Sequence, residues 1–221
     1  MNNFDLYQLL NFIVNKDVYS RAITPDQFDL ELKSKNLRLM RKRLGLPETY
    51  IPGAANEGAG VTRLTDTDLL PFLVEQTLNP VSGIITLTAG WYYILDWYTS
   101  TSITSDLISY EEISNRRNNY ITKPTTLHPA AYIVKQGLKV LPTTITGATV
   151  IYYRKPVDPV FTTIIDPITL RLTYDPINSV ELEWDDGSKL DILNMILQDM
   201  GLNIERGDVQ QMAAKLIQTG K

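Results

Sequence analysis

The stretch YIPGAANEGAGVTRL, residues 50–64, separates two differently patterned parts of the chain, and what it is decides how the rest folds. As a phosphate-binding loop it would announce a nucleotide-dependent α/β protein. As slack chain it would only join its neighbours. Gly53 and Gly58 have the phosphate-loop spacing, but that motif needs Lys and then Ser or Thr after the second glycine, because the ammonium and hydroxyl hold phosphate and Mg²⁺. Ala59 and Gly60 stand there instead, and Pro52 precedes Gly53 where an apolar strand should lead in. Residues 51–65 are therefore expected to be a loop or extended arm.

On its N-terminal side the pattern is helical. Phe4 to Val14 repeats apolar residues at helical spacing. After a break at Tyr19–Arg21, Thr24-Pro25-Asp26-Gln27 is a start signal: Thr24 caps, Pro25 suits the first helical position, and Gln27 closes a capping box. This second helix is expected to run to Leu44, with Gly45 as its left-handed stop and Pro47 beyond. In projection Phe28, Leu32 and Leu39 form one stripe, and Leu30, Leu37, Met40 and Leu44 another, nearly opposite. A helix covering one side of a small core needs only one stripe. Two stripes fit either a helix that also meets a neighbouring subunit or a central helix wrapped by its own bundle. Lys35, Arg38 and Lys42 share a third, basic face, with Arg41 and Arg43 alongside.

On the C-terminal side of the arm, Thr65 or Asp66 is expected to cap a short helix to about Leu78. From Val81 to Glu183 the composition turns to Thr, Ile, Val, Tyr and Trp broken by Pro, Gly and Asn, which is strand chemistry. Strands are expected near 84–88, 91–99, 130–135, 138–141, 148–154, 160–165, 169–174 and 179–184. Turns are expected at Gln136-Gly137 and at DPIT, residues 166–169. Short turns without intervening helices argue for an antiparallel sandwich or open barrel. Helix returns at Ser188-x-x-Asp191, closed by Gly201, and a last helix begins at Asp208 with Val209, Met212, Ala213, Leu216 and Ile217 on one face. Such short helices need tertiary packing. The expected fold is α+β: a helical layer built from residues 1–50 and 185–221, the 51–65 arm, and a β-rich module over 66–184.

Composition bounds the function. The 221 residues are 43% apolar and 21% charged, ordinary for a globular protein. A net charge of −4 gives no general attraction to nucleic acid or to an anionic membrane. With no cysteine there is no disulfide, thiolate metal site or cysteine nucleophile. Asn2, Asn3 and Asp5 flank the first apolar residues, unlike a signal peptide, and no apolar run approaches the ~20 residues of a membrane span. The expectation is a soluble protein without an export signal.

Catalytic candidates are thin. His128, the single histidine, precedes a proline in TTLHPAA, where a structural or surface role is expected. Glu181, Glu183, Asp185 and Asp186 form the densest acidic cluster. If 179–184 is a strand, Glu181 and Glu183 share a face and could hold a divalent cation. Plain alternation at a half-solvated sheet, with Val180, Leu182 and Trp184 on the other face, explains the pattern and is the expected reading, and Asp185 and Asp186 suit a helix N-terminus. WYYILDWY, residues 91–98, puts aromatics on both faces of one strand, as in a core strand, a subunit interface or a platform for sugars. No cofactor, catalytic residue or metal ligand is assigned.

Several phrases together carry a resemblance. ITPDQFDLELKSKNLRLMRKRLGLP, NYITKPTTLHPAAYIV, VLPTTITGATVIYYRKPVDPVF and LEWDDGSKLDILNMILQDMGLNIERGDVQQMAAKLIQTGK, in this order, resemble virion proteins of crAss-like and related Bacteroides tailed phages. The layout is also similar to tail-tube adaptors of short-tailed phages, in which helices from both termini flank a β module. The resemblance implies a non-enzymatic neck or tail ring protein, one of twelve copies below the portal, assembled in the host cytoplasm. Its partners would be copies of itself, the portal and other neck proteins, with transient non-specific contact to passing DNA, and no membrane or small-molecule substrate. Expected interface residues are Leu30, Leu37, Met40, the arm glycines Gly53, Gly58 and Gly60, and Trp91, Trp97 and Tyr98. Lys35, Arg38 and Lys42 are candidates for a charged ring or lumen surface. The alternative is a glycan- or receptor-binding tail module docking sugar on the aromatic strand.

Overall fold

The computed structural model describes residues 1–16, 23–46, 67–168 and 171–200. The arm with Gly53, Gly58 and Gly60, the Gly201 stop and the helix expected from Asp208 lie outside these residues. The fold is α+β, with helices toward both ends of the sequence and a β module between. Among the described residues, those up to Leu46, Thr67 to Pro71 and from Pro156 onward form one compact unit. Phe72–Lys155 form a second.

The helical unit contains α1 (Asn3–Lys16) and α2 (Pro25–Leu44). In α1 the buried Leu6, Leu9, Leu10, Ile13 and Val14 follow the i, i+3, i+4, i+7, i+8 rule of a one-sided amphipathic helix. α2 starts as its sequence directs. Thr24 accepts from Gln27 N, the Gln27 side chain accepts from Thr24 N, and Pro25 opens the first turn. It ends at Gly45, whose φ of 68° is left-handed. The buried positions of α2 form one broad arc, from Lys35 through Phe28, Leu39, Leu32, Asn36 and Met40 to Leu44. Leu37 is half-exposed and Leu30 exposed, at the far edge of that arc. The two expected stripes are therefore one wide buried face with an apolar rim.

The last described helix, α4 (Asp186–Asp199), packs on both α1 and α2. It opens earlier than Ser188-x-x-Asp191 implied. Asp185 is the cap, accepting from Gly187 N at 3.0 Å and Ser188 N at 3.2 Å, while Ser188 itself is buried in the first turn. Burial works against the Asp185 charge, but these bonds and the nearby Arg43 outweigh it and hold the carboxyl below its usual range. The Asp185 contribution to stability is thus present above about pH 4, the unfolded value, and is lost as pH falls through the lower folded value. Asp185→Ala should cost about 1 kcal/mol at neutral pH. Urea midpoints against pH should then fall less steeply in acid for this variant than for the native chain.

Three structural differences from the sequence-based expectation concern backbone pairing and the division into units. Residues 67–78 are not one helix. A 3₁₀ helix (Thr67–Phe72) containing Pro71 gives way to β1 (Leu73–Leu78), because the six residues of β1 pair in register with β7 (Ala148–Arg154). Residues 179–184 are not a strand, only a single bridge between Val160 and Val180. Asn3 takes part of their main chain instead: its side chain donates to Val180 O at 3.0 Å and accepts from Leu182 N at 3.3 Å. Lastly, 156–184 belongs to the helical unit rather than to the β module. Its aromatic anchors explain this: Phe161 packs on Tyr7 and Phe28, and Tyr174 on Phe4, with ring centroids 5.0–5.6 Å apart.

The second unit is a two-sheet sandwich. One sheet has the order β1-β7-β3, with β3 at Trp91–Tyr98. The other has β2 (Ile84–Thr86), β6 (Gly137–Leu141), β5 (Ala130–Val134) and β4 (Asp106–Leu107), in that order. All its pairings are antiparallel except β4 with β5, so the module is mixed rather than purely antiparallel. The sheets share a core of Ile85, Leu138 and Val140 against Ile94, Trp97, Val150 and Tyr152. On the outer face of β5, a short helix α3 (Glu112–Asn118), unforeseen from sequence, places Ile113 over Ala130 and Tyr132. Only one residue of α3 is buried, so it carries no apolar periodicity to read. Gly137, in the expected 136–137 turn, has φ 142°, and a Cβ there would run into the Ile85 carbonyl. Gly137→Ala should therefore break the β2–β6 pairing and destabilise the unit by more than ~1 kcal/mol, measured by thermal unfolding.

Candidate interaction surfaces

Several polar groups of the helical unit are consumed by the fold. Asn36 is buried. Its Nδ2 donates to Val157 O at 2.9 Å and its Oδ1 accepts from Trp184 Nε1 at 2.6 Å. Arg43 holds Asp68 at 2.9 Å and Asp191 at 3.1 Å, tying the 3₁₀ helix and α4 to α2. Lys35 is a correction to the proposed basic face. Only 4% exposed, it pairs with Asp199 and, at 3.1 Å, with Glu31. Burial opposes its charge, but the two carboxylates outweigh this and lift its pKa above the usual lysine value. Asp199, bonded to Lys35 and near Arg38, titrates lower than usual for the same reason. Arg38 and Lys42 remain on the outer side of α2.

The acidic cluster is likewise structural. Glu181 accepts from Asn3 N at 2.7 Å and from the Tyr174 hydroxyl, and Glu183 from Val157 N at 2.9 Å. No three metal-ligating side chains converge among the described residues. His128 sits in an exposed turn. Its Nδ1 shares a 2.8 Å hydrogen bond with Thr104 Oγ1, and its main chain exchanges bonds with Thr125. It borders an open polar groove of about 470 Å³, with Asp106, Arg116 and Lys123 on its walls.

The proposed interface residues divide. Met40 and Trp97 are fully buried within their own units, which corrects their assignment to a surface. Met40 closes the broad arc of α2. Trp97 fills the sandwich and donates Nε1–H to Asp106 O at 3.3 Å. Leu30 is exposed, Leu37 and Trp91 are half-buried, and Tyr98 is exposed with its hydroxyl donating to Glu75 at 2.7 Å. Tyr98 is the one exposed aromatic of β3. A flat sugar platform on this strand would have to rest on it.

Two apolar patches escaped the sequence. In the sandwich unit, Ile103, Tyr110, Tyr120, Ile121 and Leu127 are exposed, with Tyr120 at 97% and Ile121 at 89%. Ile103 N donates to Leu127 O at 2.8 Å, and Ile121 lines the groove beside His128. In the helical unit, β8 (Thr163–Ile165) and β9 (Leu172–Tyr174) form a two-stranded ribbon. Ile164, Ile165, Ile168 and Leu172 are exposed on it, Ile168 at 90%. Tyr174 anchors the base of the ribbon through its ring stacking, and the isoleucines lie beyond that anchor. The available signal was apolar residues without periodicity: Tyr-Ile inside NNYITKP, and adjacent isoleucines in a three-residue strand.

No protein-family model matches this chain, and no curated protein matches it in sequence.

Proposed function

We propose that this chain is a non-enzymatic structural protein of a tailed-phage virion, a head-to-tail connector or tail ring through which DNA passes. The observation that carries this reading is the amount of large apolar surface that both units leave in water, led by Tyr120, Ile121 and Ile168. A monomeric domain rarely exposes contiguous apolar patches beyond a few hundred Å², and larger ones mark interaction sites. The ordered phage-like phrases of the sequence supply the setting. In this scheme the rim of α2 at Leu30 and Leu37 contributes lateral contacts, and Arg38 and Lys42 provide the basic surface near passing DNA. The arm with Gly53, Gly58 and Gly60 reaches an adjacent copy.

The test is co-assembly. The chain should be co-purified with a candidate phage portal protein and viewed by electron microscopy. Rings of this chain seated on the portal are expected. A chain that neither oligomerises nor binds the portal overturns the proposal.

A further inference from the structure

An open strand edge invites pairing with another chain, and folds blunt such edges by shortness, bulges or charge. Most edges among the described strands are blunted in this way. β2 has three residues and β4 two. The ribbon strands have three each. β3, at one margin of the β1-β7-β3 sheet, shifts register twice against β7, between Trp91 and Tyr93 and between Ile94 and Asp96. β1, at the other margin, is different. Its six residues pair with β7 without a register shift, include no proline or lysine, and carry one charge, Glu75. Among the described residues no hydrogen bond reaches their outward main chain, and all six are at least partly exposed.

Alternation fixes the two faces of β1. Val74 and Leu78 pack on the sandwich core, and Gln76 between them accepts from the Tyr152 hydroxyl at 3.2 Å and from Thr88 Oγ1 at 3.0 Å. Leu73, Glu75 and Thr77 are exposed on the opposite face.

We propose that the β1 edges of two copies pair antiparallel about a two-fold axis at Gln76, joining their β1-β7-β3 sheets into one continuous sheet. Residues directly opposite in an antiparallel pair share a face, so a pairing that matches core face to core face must centre on a residue of the strand. Centred on Glu75, it would oppose two carboxylates. Centred on Val74 or Thr77, it would match only three residues of the strand. Centred on Gln76, it matches five, with Val74 against Leu78, Glu75 against Thr77 and Gln76 against its own copy. The edge is complementary to itself, which names a second copy as its occupant. Because β7 holds the other edge of β1, the pairing closes at two. A two-fold contact cannot run head to tail around a ring, so this one goes beyond the ring reading and does not depend on it.

The chain has no cysteine, so single cysteines in the full chain report the register. Under mild oxidation Gln76→Cys should give a disulfide-linked dimer. Glu75→Cys and Thr77→Cys should each crosslink far less alone, since like positions then lie on a diagonal at about 7–8 Å. Mixed, those two variants should crosslink to each other, and this pair still reads the register should Gln76→Cys fail to fold. Separately, Glu75→Lys with Thr77→Lys sets like charges across both 75–77 pairs. By sedimentation velocity the native chain should dimerise, and this double variant about tenfold or more weakly. Both side chains are exposed, so its thermal unfolding should change little.

A native chain that forms no dimer overturns the inference. So does dimerisation that the double variant leaves unchanged, or crosslinking of Glu75→Cys alone as strong as that of Gln76→Cys. Absence of any crosslink from both Gln76→Cys and the mixed pair overturns it as well.

Discussion

Trp97→Ala is expected to lower the stability of the Phe72–Lys155 unit by about 3–5 kcal/mol, the range for emptying a buried aromatic site. The indole lies wholly inside the sandwich among Ile94, Val150 and Leu138. It also ties β3 to β4 through the bond to Asp106 O. Truncation leaves a cavity between two sheets and removes the side-chain bond to β4. Denaturant unfolding followed by circular dichroism checks this. A loss below about 1 kcal/mol would return Trp97 to the surface, where its position in an aromatic strand had suggested a subunit contact.

Asn36→Leu is the second large effect, expected at about 2–4 kcal/mol. The substitution keeps the volume but removes the acceptor of the buried Trp184 indole N–H, at about 1–3 kcal/mol, and the donor to the Val157 carbonyl, at about 1 kcal/mol. Leu30→Ala, on the exposed rim of the same helix, should change stability by less than about 0.5 kcal/mol. The contrast separates what α2 does for its own fold from what it offers to others. Chemical denaturation of both variants reads it directly.

These two residues also show what the sequence could and could not reveal. Where a decision is local, it was legible. The capping box at Thr24, the left-handed Gly45, the α1 stripe and a hairpin turn, at 135–136 rather than 136–137, all follow from neighbouring residues. Where the deciding partner is distant, it was not. Residues 73–78 read as helix until 148–154 supplies a strand to pair with. Residues 179–184 alternate like a strand, yet Asn3 at the other end of the chain takes part of their main chain. Lys35 looks like part of a basic face because periodicity places it beside Lys42, whereas burial is decided by Asp199. The interaction surfaces were hidden for a further reason. An apolar residue in an aperiodic loop has no pattern that tells core from contact, and only its exposure in the fold distinguishes them.

The account stands on the claim that Tyr120, Ile121 and Ile168 are in water in the single chain and covered in the working particle. Hydroxyl-radical footprinting of these side chains, in the free chain and in the assembled virion, measures that difference. All three should oxidise readily in the free chain and be strongly protected in the particle. Equal oxidation in both states would contradict the account.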